Sequence, residues 1–190
     1  NIMQRLPKAH SIAKLLVHLP YVRLVILSGP TANGESGAQS DIDLLIVGAK
    51  NHLWTARYLC VFLITILGQK SYPLKKKTAG RICLPLYLSE DFLEMRRVWR
   101  RSAPWQRQWL QSLKPLAGEP AVWQKFCQEN RLSAPPISQI SPIGLIGKEI
   151  SEFVLAFYLG WLLEKVLRWW QRRRLERYRQ RVNPPAGEMR

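Results

Sequence analysis

Two aspartates separated by one apolar residue are the side chains of this sequence best suited to chemistry. Asp41 and Asp43 stand in the sequence DID at the start of an apolar run. Side chains on a β-strand alternate with a period of two, so both carboxylates face one side with Cα atoms roughly 7 Å apart. Ile42 then faces the core. Two such carboxylates can hold Mg²⁺, or bridge a pair of ions that clamp the oxygens of a phosphoryl displacement. The pattern predicts metal-assisted chemistry on a phosphate.

A glycine-bearing turn precedes the aspartates. Residues 25–47 read VILSGPTANGESGAQSDIDLLIV, which places this turn between two apolar strands. Gly29 and Gly34 permit positive φ angles and close approach of the backbone. Successive amide groups in such a turn bind anions, so we expect them to cradle a triphosphate.

This segment resembles the signature of the DNA polymerase beta-like nucleotidyltransferase superfamily, a Gly-Ser or Gly-Gly pair shortly before an Asp-hydrophobic-Asp strand. Here Gly29-Pro30 is followed by ten residues and then Asp41-Ile42-Asp43. The sequences NHLWTAR and ICLPLYLSED are similar to a helix and a strand that follow the motif in small bacterial stand-alone members. The wider similarity covers residues 8–131.

The resemblance implies a nucleotidyltransferase fold and an activity. That activity is transfer of a nucleoside monophosphate from an NTP to an acceptor hydroxyl, with Mg²⁺ or Mn²⁺ and release of pyrophosphate. It makes Asp41 and Asp43 the catalytic residues and metal ligands. The candidates for nucleotide binding lie in the turn and just before the second strand: Ser28, Gly29, Thr31, Gly34 and Ser40.

Two departures from the family pattern bear on activity. Pro30 stands where the family has Ser, and it offers neither a hydroxyl nor an amide donor. The family's third carboxylate lies on a later strand, but the corresponding stretch, residues 81–88, contains no acid. Glu90 or Asp91 could supply it from the end of that strand. The alternative function is therefore a catalytically degenerate member that acts as a basic nucleic-acid-binding module.

The predicted architecture is an α+β fold, a small mixed sheet with covering helices followed by a C-terminal helical appendage. Apolar runs predict strands over residues 21–27, 42–47 and 81–88. Pro85 makes the last of these an edge strand or a bulged one. Helical patterns cover residues 8–19, 50–67, 91–113 and 148–181. The helix at 50–67 is apolar nearly all round, and we expect it to be a core helix covering the sheet.

Composition divides the chain into three parts. Residues 1–131 form the nucleotidyltransferase-like domain, residues 132–147 a Pro/Ser/Gly-rich linker, and residues 148–190 a helix with a basic tail. The three cysteines are widely spaced without a CxxC pair, which indicates neither a zinc site nor disulfides and is typical of the cytoplasm. The first residue is Asn rather than Met, as in a fragment or a processed chain.

Positive charge is concentrated near the C-terminus. The chain carries a formal net charge of +16, and the segment from Lys165 to Arg181 holds eight basic residues and one acid. Such a block attracts polyanions, and we expect RNA or DNA as its partner. A membrane surface is the less favoured alternative, suggested by Trp161, Trp169 and Trp170 beside the arginines. The apolar stretches at 58–67 and 153–163 are too short to span a bilayer.

Overall fold

A four-stranded mixed sheet organises the protein. The computed structural model describes residues 2–35, 37, 39–71, 79–98, 104–137, 147–153 and 160–182. The strands are β1 (Val22–Ser28), β2 (Ile42–Gly48), β3 (Ile82–Ser89) and β4 (Lys114–Gly118), in the spatial order β3-β2-β1-β4. β1 is antiparallel to β2 and to β4, whereas β2 and β3 are parallel. With helices around it, this sheet confirms the predicted α+β class.

Helices pack against both faces of the sheet. They are α1 (Ile2–Val17), α2 (Gly29–Asn33), α3 (Leu53–Ile66), α4 (Met95–Val98), α5 (Pro104–Ser112), α6 (Pro120–Asn130), α7 (residues 147–153) and α8 (Gly160–Val182). β1 and β2 are buried on both faces, which is why their sequences are continuously apolar rather than alternating. Leu44 and Ile46 join the core under α1 and α3, and Leu45 and Val47 join the core under α6.

The predicted helix over residues 91–113 is wrong in its extent. Phe92 forms an isolated bridge with Ser89, the first helix begins only at Met95, and β4 follows directly after Leu113. The sequence of β4, KPLAG, contains no β-branched or aromatic residue, so it carries no strand signal of its own. Pairing with β1 gives it the extended conformation.

β3 is an edge strand with a register shift, as Pro85 predicted. Asp43 pairs with Cys83 and Leu45 with Leu86, so β3 has one residue more than β2 between these pairs. The extra residue falls at Leu84 or Pro85. Proline lacks the N–H that a regular ladder needs, and a bulge on an edge strand removes that requirement.

α3 differs from the fully covered core helix that its composition predicted. It buries Thr55, Ala56, Cys60 and Ile64, but Phe62 is 52% exposed and Ile66 66% exposed. Packing against the sheet therefore does not account for the exposed apolar side chains of α3. Among the described residues, none of the helices combines the length and the hydropathy needed to cross a membrane.

α8 packs on the start of α3 through a buried carboxylate. Glu164 is only 4% exposed, and it accepts hydrogen bonds from the amides of Trp54 and Thr55 and from the Thr55 hydroxyl at 2.8–3.0 Å. Within the described part of the chain, His52 at the N-cap position provides no side-chain bond to these amides. Glu164 therefore caps α3 from another helix, where its charge also suits the helix dipole.

α7 is attached to β1 by ion pairs. Glu152 forms two bonds of 2.9 Å with the Arg23 guanidinium and accepts a third bond from the Tyr21 amide at 2.7 Å. Lys148 is buried beside them and donates to the Val22 carbonyl. The division at residues 132–147 stays a prediction, and residues 138–146 of that segment lie outside the described residues.

Replacing Glu164 tests the cap. We expect Glu164→Ala to lower the free energy of unfolding by about 3 kcal/mol, because the buried Thr55 amide and the partly buried Trp54 amide lose a charged acceptor. Glu176→Ala removes an exposed carboxylate from the same helix and serves as the matched control. Chemical denaturation measures both variants. Equal effects of the two substitutions would contradict the capping role.

Candidate metal centre

Three potential ligands meet at one end of the β2–β3 pair. One ligand atom each from Asp41, Asp43 and Cys83 lies within 4.8 Å of the other two. Asp43 and Cys83 are direct partners in the parallel ladder. Ile42 is fully buried in the core, so the period of two directs both carboxylates away from it, as predicted. The arrangement brings two carboxylates and a thiol to a distance that one cation can bridge.

Gly29 lies against the Asp43 carboxylate. Ser28, the last residue of β1, pairs with Asp43, and the chain then turns at Gly29 with φ of +70°. A Cβ on Gly29 would stand 2.4 Å from Asp43 Oδ2, a distance that real contacts do not reach. Both the positive φ and the missing side chain are therefore required here. The turn glycine of the motif provides room for the Asp43 carboxylate.

Hydroxyl groups fix the backbone on either side of the carboxylates. Ser28 Oγ donates to the Asp43 carbonyl at 3.4 Å, and Thr31 Oγ1 donates to the Asp41 carbonyl at 3.2 Å. Both side chains are buried, so in this structure they position the second strand. Ser71 Oγ donates to Asp41 Oδ2 at 3.0 Å and so orients the carboxylate itself.

The other two nucleotide-binding candidates lie in the connection between β1 and β2. Gly34 ends α2 in the left-handed conformation. The Glu35 amide donates to the Pro30 carbonyl at 2.9 Å, and the Gly34 amide donates to the Thr31 carbonyl at 3.4 Å. That amide is therefore used inside the turn. Ser40 accepts a bond from the Gly80 amide at 2.9 Å, which holds the start of β2 beside the segment before β3. Their roles toward a nucleotide remain predictions.

The electrostatics of the site favour an added positive charge. Burial and then the neighbouring Asp41 charge raise the pKa of Asp43 to about 6, against the lowering effect of a hydrogen bond from Cys83. Burial and the two carboxylates also raise the pKa of the Cys83 thiol to about 12. Two carboxylates this close repel each other when both are ionised, and a divalent cation relieves that repulsion.

Glu90 and Asp91 do not supply the third carboxylate. β3 runs parallel to β2, so its first residues lie beside Asp43 and its last residues lie beside Gly48. Glu90 accepts a bond from the Lys50 amide and pairs with Arg23, and Asp91 bonds to Ser89. The far end of β2 is about 17 Å from the site, at 3.3 Å per residue. The prediction that either acid reaches the site is wrong.

Cys83 and Ser71 are site residues that the sequence did not indicate. The widely spaced cysteines gave no metal-binding pattern, because Cys83 meets the aspartates only through the pairing of two strands forty residues apart. A parallel alignment of ICLPLYLS against IDLLIVG would have indicated it. Ser71 lies in a loop of irregular structure, and no local signal identifies its contact with Asp41.

The donor set fits a hard divalent cation held by two ligands. Mg²⁺ and Mn²⁺ take oxygen ligands, and one or two protein carboxylates are enough when water and phosphate fill the other positions. Asp41 and Asp43 meet that requirement. The Cys83 thiol keeps its proton at neutral pH and is a soft donor, so it is not a ligand that Mg²⁺ selects.

Comparison with known proteins adds little to this geometry. No protein-family model matches the chain, and no curated protein matches it either. A solved structure described as "Crystal structure of the toxin-antitoxin with AMP-PNP" is similar at 15% sequence identity and a TM-score of 0.34. That match covers 83% of this chain and 96% of the other. A likeness at this level does not establish a shared fold.

The raised pKa of Asp43 predicts how stability depends on pH without divalent cations. The pKa of Asp43 is 3.8 in the unfolded chain, its ordinary value, and about 6 in the folded protein. Between these two pKa values, Asp43 is ionised in the unfolded state and still protonated in the folded state. The free energy of unfolding therefore falls as the pH rises. Asp43→Asn lacks this contribution. We expect the stability of the wild type relative to Asp43→Asn to fall from pH 4 to pH 6 and then level off.

Denaturation in EDTA across this pH range measures the difference. A relative stability that rises with pH would show that Asp43 is instead stabilised in its ionised form.

Two glycines with a left-handed backbone conformation provide a matched pair of substitutions. Gly29 and Gly34 both have positive φ, but no described atom lies within 4 Å of a Cβ placed on Gly34. Gly34→Ala should cost about 1 kcal/mol of stability, the strain of the left-handed region. Gly29→Ala should cost more and weaken Mn²⁺ binding by about tenfold, because the methyl group displaces Asp43. Denaturation and calorimetric titration measure the two effects. Equal Mn²⁺ affinities in both variants would show that residue 29 does not affect the position of the Asp43 carboxylate.

Proposed function

We propose that this protein is a nucleotidyltransferase that uses Mg²⁺ or Mn²⁺ and an NTP. The observation that carries the proposal is the contact of Gly29 with the Asp43 carboxylate, beside Asp41, at the end of an antiparallel strand pair. Burial and the nearby Asp41 charge raise the pKa of Asp43, and carboxylates perturbed in this way cluster at functional sites. The sequence pattern, similar to the nucleotidyltransferase signature, supports the same reaction.

Each residue has a definite task in this reaction. Asp41 and Asp43 would hold the cation, which would neutralise charge on the triphosphate and polarise the α-phosphorus. Ser71 orients Asp41, while Ser28 and Thr31 hold the backbone of both aspartates. Catalysis of this kind depends on positioning and on electrostatic stabilisation.

The proposed chemical step is an in-line displacement. The oxygen of the acceptor hydroxyl forms a bond to the α-phosphorus of the NTP, and the bond from that phosphorus to the bridging oxygen breaks. Pyrophosphate leaves with the bonding electrons, and the hydroxyl proton passes to water. The acceptor supplies the hydroxyl and no oxidant or reductant is needed.

Cys83 also favours a second candidate function. The nucleotidyltransferase family has its third carboxylate on a later strand. In this chain β3 has the Cys83 thiol next to Asp43. A site with only two acids can bind a metal and a nucleotide without turning it over. In that case the protein is a catalytically degenerate member that binds nucleotides or nucleic acid. A cytoplasmic location fits both functions.

A label-transfer assay tests the proposed reaction. We expect the wild type, incubated with each NTP labelled at the α-phosphate, Mg²⁺ or Mn²⁺, and total cellular RNA and protein, to transfer label to one acceptor class. Asp41→Asn and Asp43→Asn should each reduce transfer by at least about a hundredfold, because each removes a charged ligand. Asp91→Asn makes the same substitution at an aspartate beyond the far end of β3 and serves as the matched control.

Cys83→Asp separates the two functions. It restores a third carboxylate, so it should bind Mn²⁺ more tightly than the wild type and transfer label at least as fast. Transfer by Cys83→Asp but not by the wild type would assign the degenerate function to this chain. Label transfer that is equal in the wild type and in Asp43→Asn would contradict the assignment of the site.

A further inference from the structure

α8 has apolar side chains on two opposite faces. Leu167 is buried together with Glu164 and Gln171 on the face that contacts α3. At 100° per residue, Leu162, Val166 and Trp169 lie on the opposite face of the helix. These three side chains are 55%, 52% and 55% exposed. A surface helix normally exposes polar residues there, so this second apolar face indicates something that covers it.

The exposed face of α8 continues onto α3. Trp170 makes an edge contact with Tyr58 at a ring-centroid distance of 6.4 Å, and Tyr58 stacks on Phe62 at 6.0 Å. Ile66 lies one turn further along α3 and is also exposed. We call this connected set the α3–α8 surface: Tyr58, Phe62, Ile66, Val166, Trp169 and Trp170, extended by Leu162. It explains the open face of α3 that its composition did not predict.

Basic residues lie along both edges of this surface, and Arg173 lies on the exposed α8 face itself, one turn after Trp169. Lys165 and Arg172 lie along one edge of the exposed α8 face, and they line a shallow groove with Arg168 and Arg173. Arg173 places its guanidinium 4.1 Å from the ring centre of Trp169, and Arg174 lies 5.5 Å from that of Trp170. Arginine paired with tryptophan around an apolar centre is typical of a helix at the boundary of lipid headgroups and acyl chains.

We propose that the α3–α8 surface binds the surface of an anionic lipid bilayer. Its apolar centre would lie among the acyl chains near the headgroups, and its arginines would contact the lipid phosphates and carboxylates. The net charge of +16 complements such a membrane and opposes association with a second copy of the chain. The protein would lie on the membrane without crossing it.

The aliphatic members of the surface distinguish a bilayer from a nucleic acid. Single-stranded nucleic acids stack their bases on aromatic rings and pair their phosphates with arginines. Trp169 and the arginines suit either partner, but Leu162, Val166 and Ile66 offer neither a stacking plane nor a charge. Burying them in acyl chains gains free energy in proportion to their area. The expectation of RNA or DNA came from the basic block and from the acceptor that a nucleotidyltransferase needs, and the exposed apolar face is the added observation that favours lipid.

Vesicle flotation with the full chain tests the proposal. We expect the protein to float with vesicles of phosphatidylcholine containing phosphatidylserine and to stay in solution with phosphatidylcholine alone. The triple variant Leu162→Gln, Val166→Gln and Trp169→Gln keeps every charge, and we expect it to bind about tenfold or more weakly. Thermal unfolding should be nearly unchanged, since all three side chains are exposed.

A matched triple variant controls for the loss of apolar surface in general. Leu15, Phe92 and Trp105 are exposed to similar extents on α1, after β3 and on α5, and their replacement by Gln should leave vesicle binding intact. Equal flotation of the wild type and the α8 triple variant would overturn the proposal. So would a wild type that stays in solution but binds a single-stranded oligonucleotide, with the α8 triple variant binding it equally well.

Discussion

The register of β1 against β2 is the constraint on which the candidate site depends. Pairing Ser28 with Asp43 leaves Gly29 as the next residue, turning directly over the Asp43 carboxylate. The Ser28 and Thr31 hydroxyls then donate to the Asp43 and Asp41 carbonyls and hold the backbone of the DID sequence. A shift of one residue would turn Asp43 toward the core and Ile42 toward solvent. The buried strands that surround the motif therefore fix the position of its carboxylates.

Sequence patterns predicted the centre of this arrangement better than its surroundings. Continuous apolar runs identified β1 and β2, and a period of two put Asp41 and Asp43 on one side. Pro85 indicated an edge strand or a bulge, and β3 is an edge strand with a shift in register. β4 was missed because its extended shape comes from pairing rather than from its own residues. Cys83, Ser71 and the cap by Glu164 were missed for the same kind of reason: each contact joins segments that are distant in the chain.

Acidic side chains attach the two C-terminal helices to the rest of the fold, although the net charge of that part of the chain is positive. Glu152 and Glu164 are the acids by which α7 and α8 attach to β1 and α3. With these acids used for packing, most of the remaining charge on α8 is positive and exposed. The same helix turns a second apolar face outward, continuous with α3 through Trp170 and Tyr58. The candidate metal site lies at one end of the sheet and the basic, apolar surface lies on its helices, so the two sites would serve separate partners.

The central claim is that Asp41 and Asp43 jointly bind a divalent cation beside Gly29. A crystal structure of the protein soaked with Mn²⁺ and a non-hydrolysable NTP tests it most directly, because anomalous scattering locates manganese without assumptions about the ligands. We predict an anomalous peak in contact with both carboxylates, with triphosphate oxygens completing its coordination. A manganese peak elsewhere, or a nucleotide bound without a metal between these two aspartates, would contradict the claim.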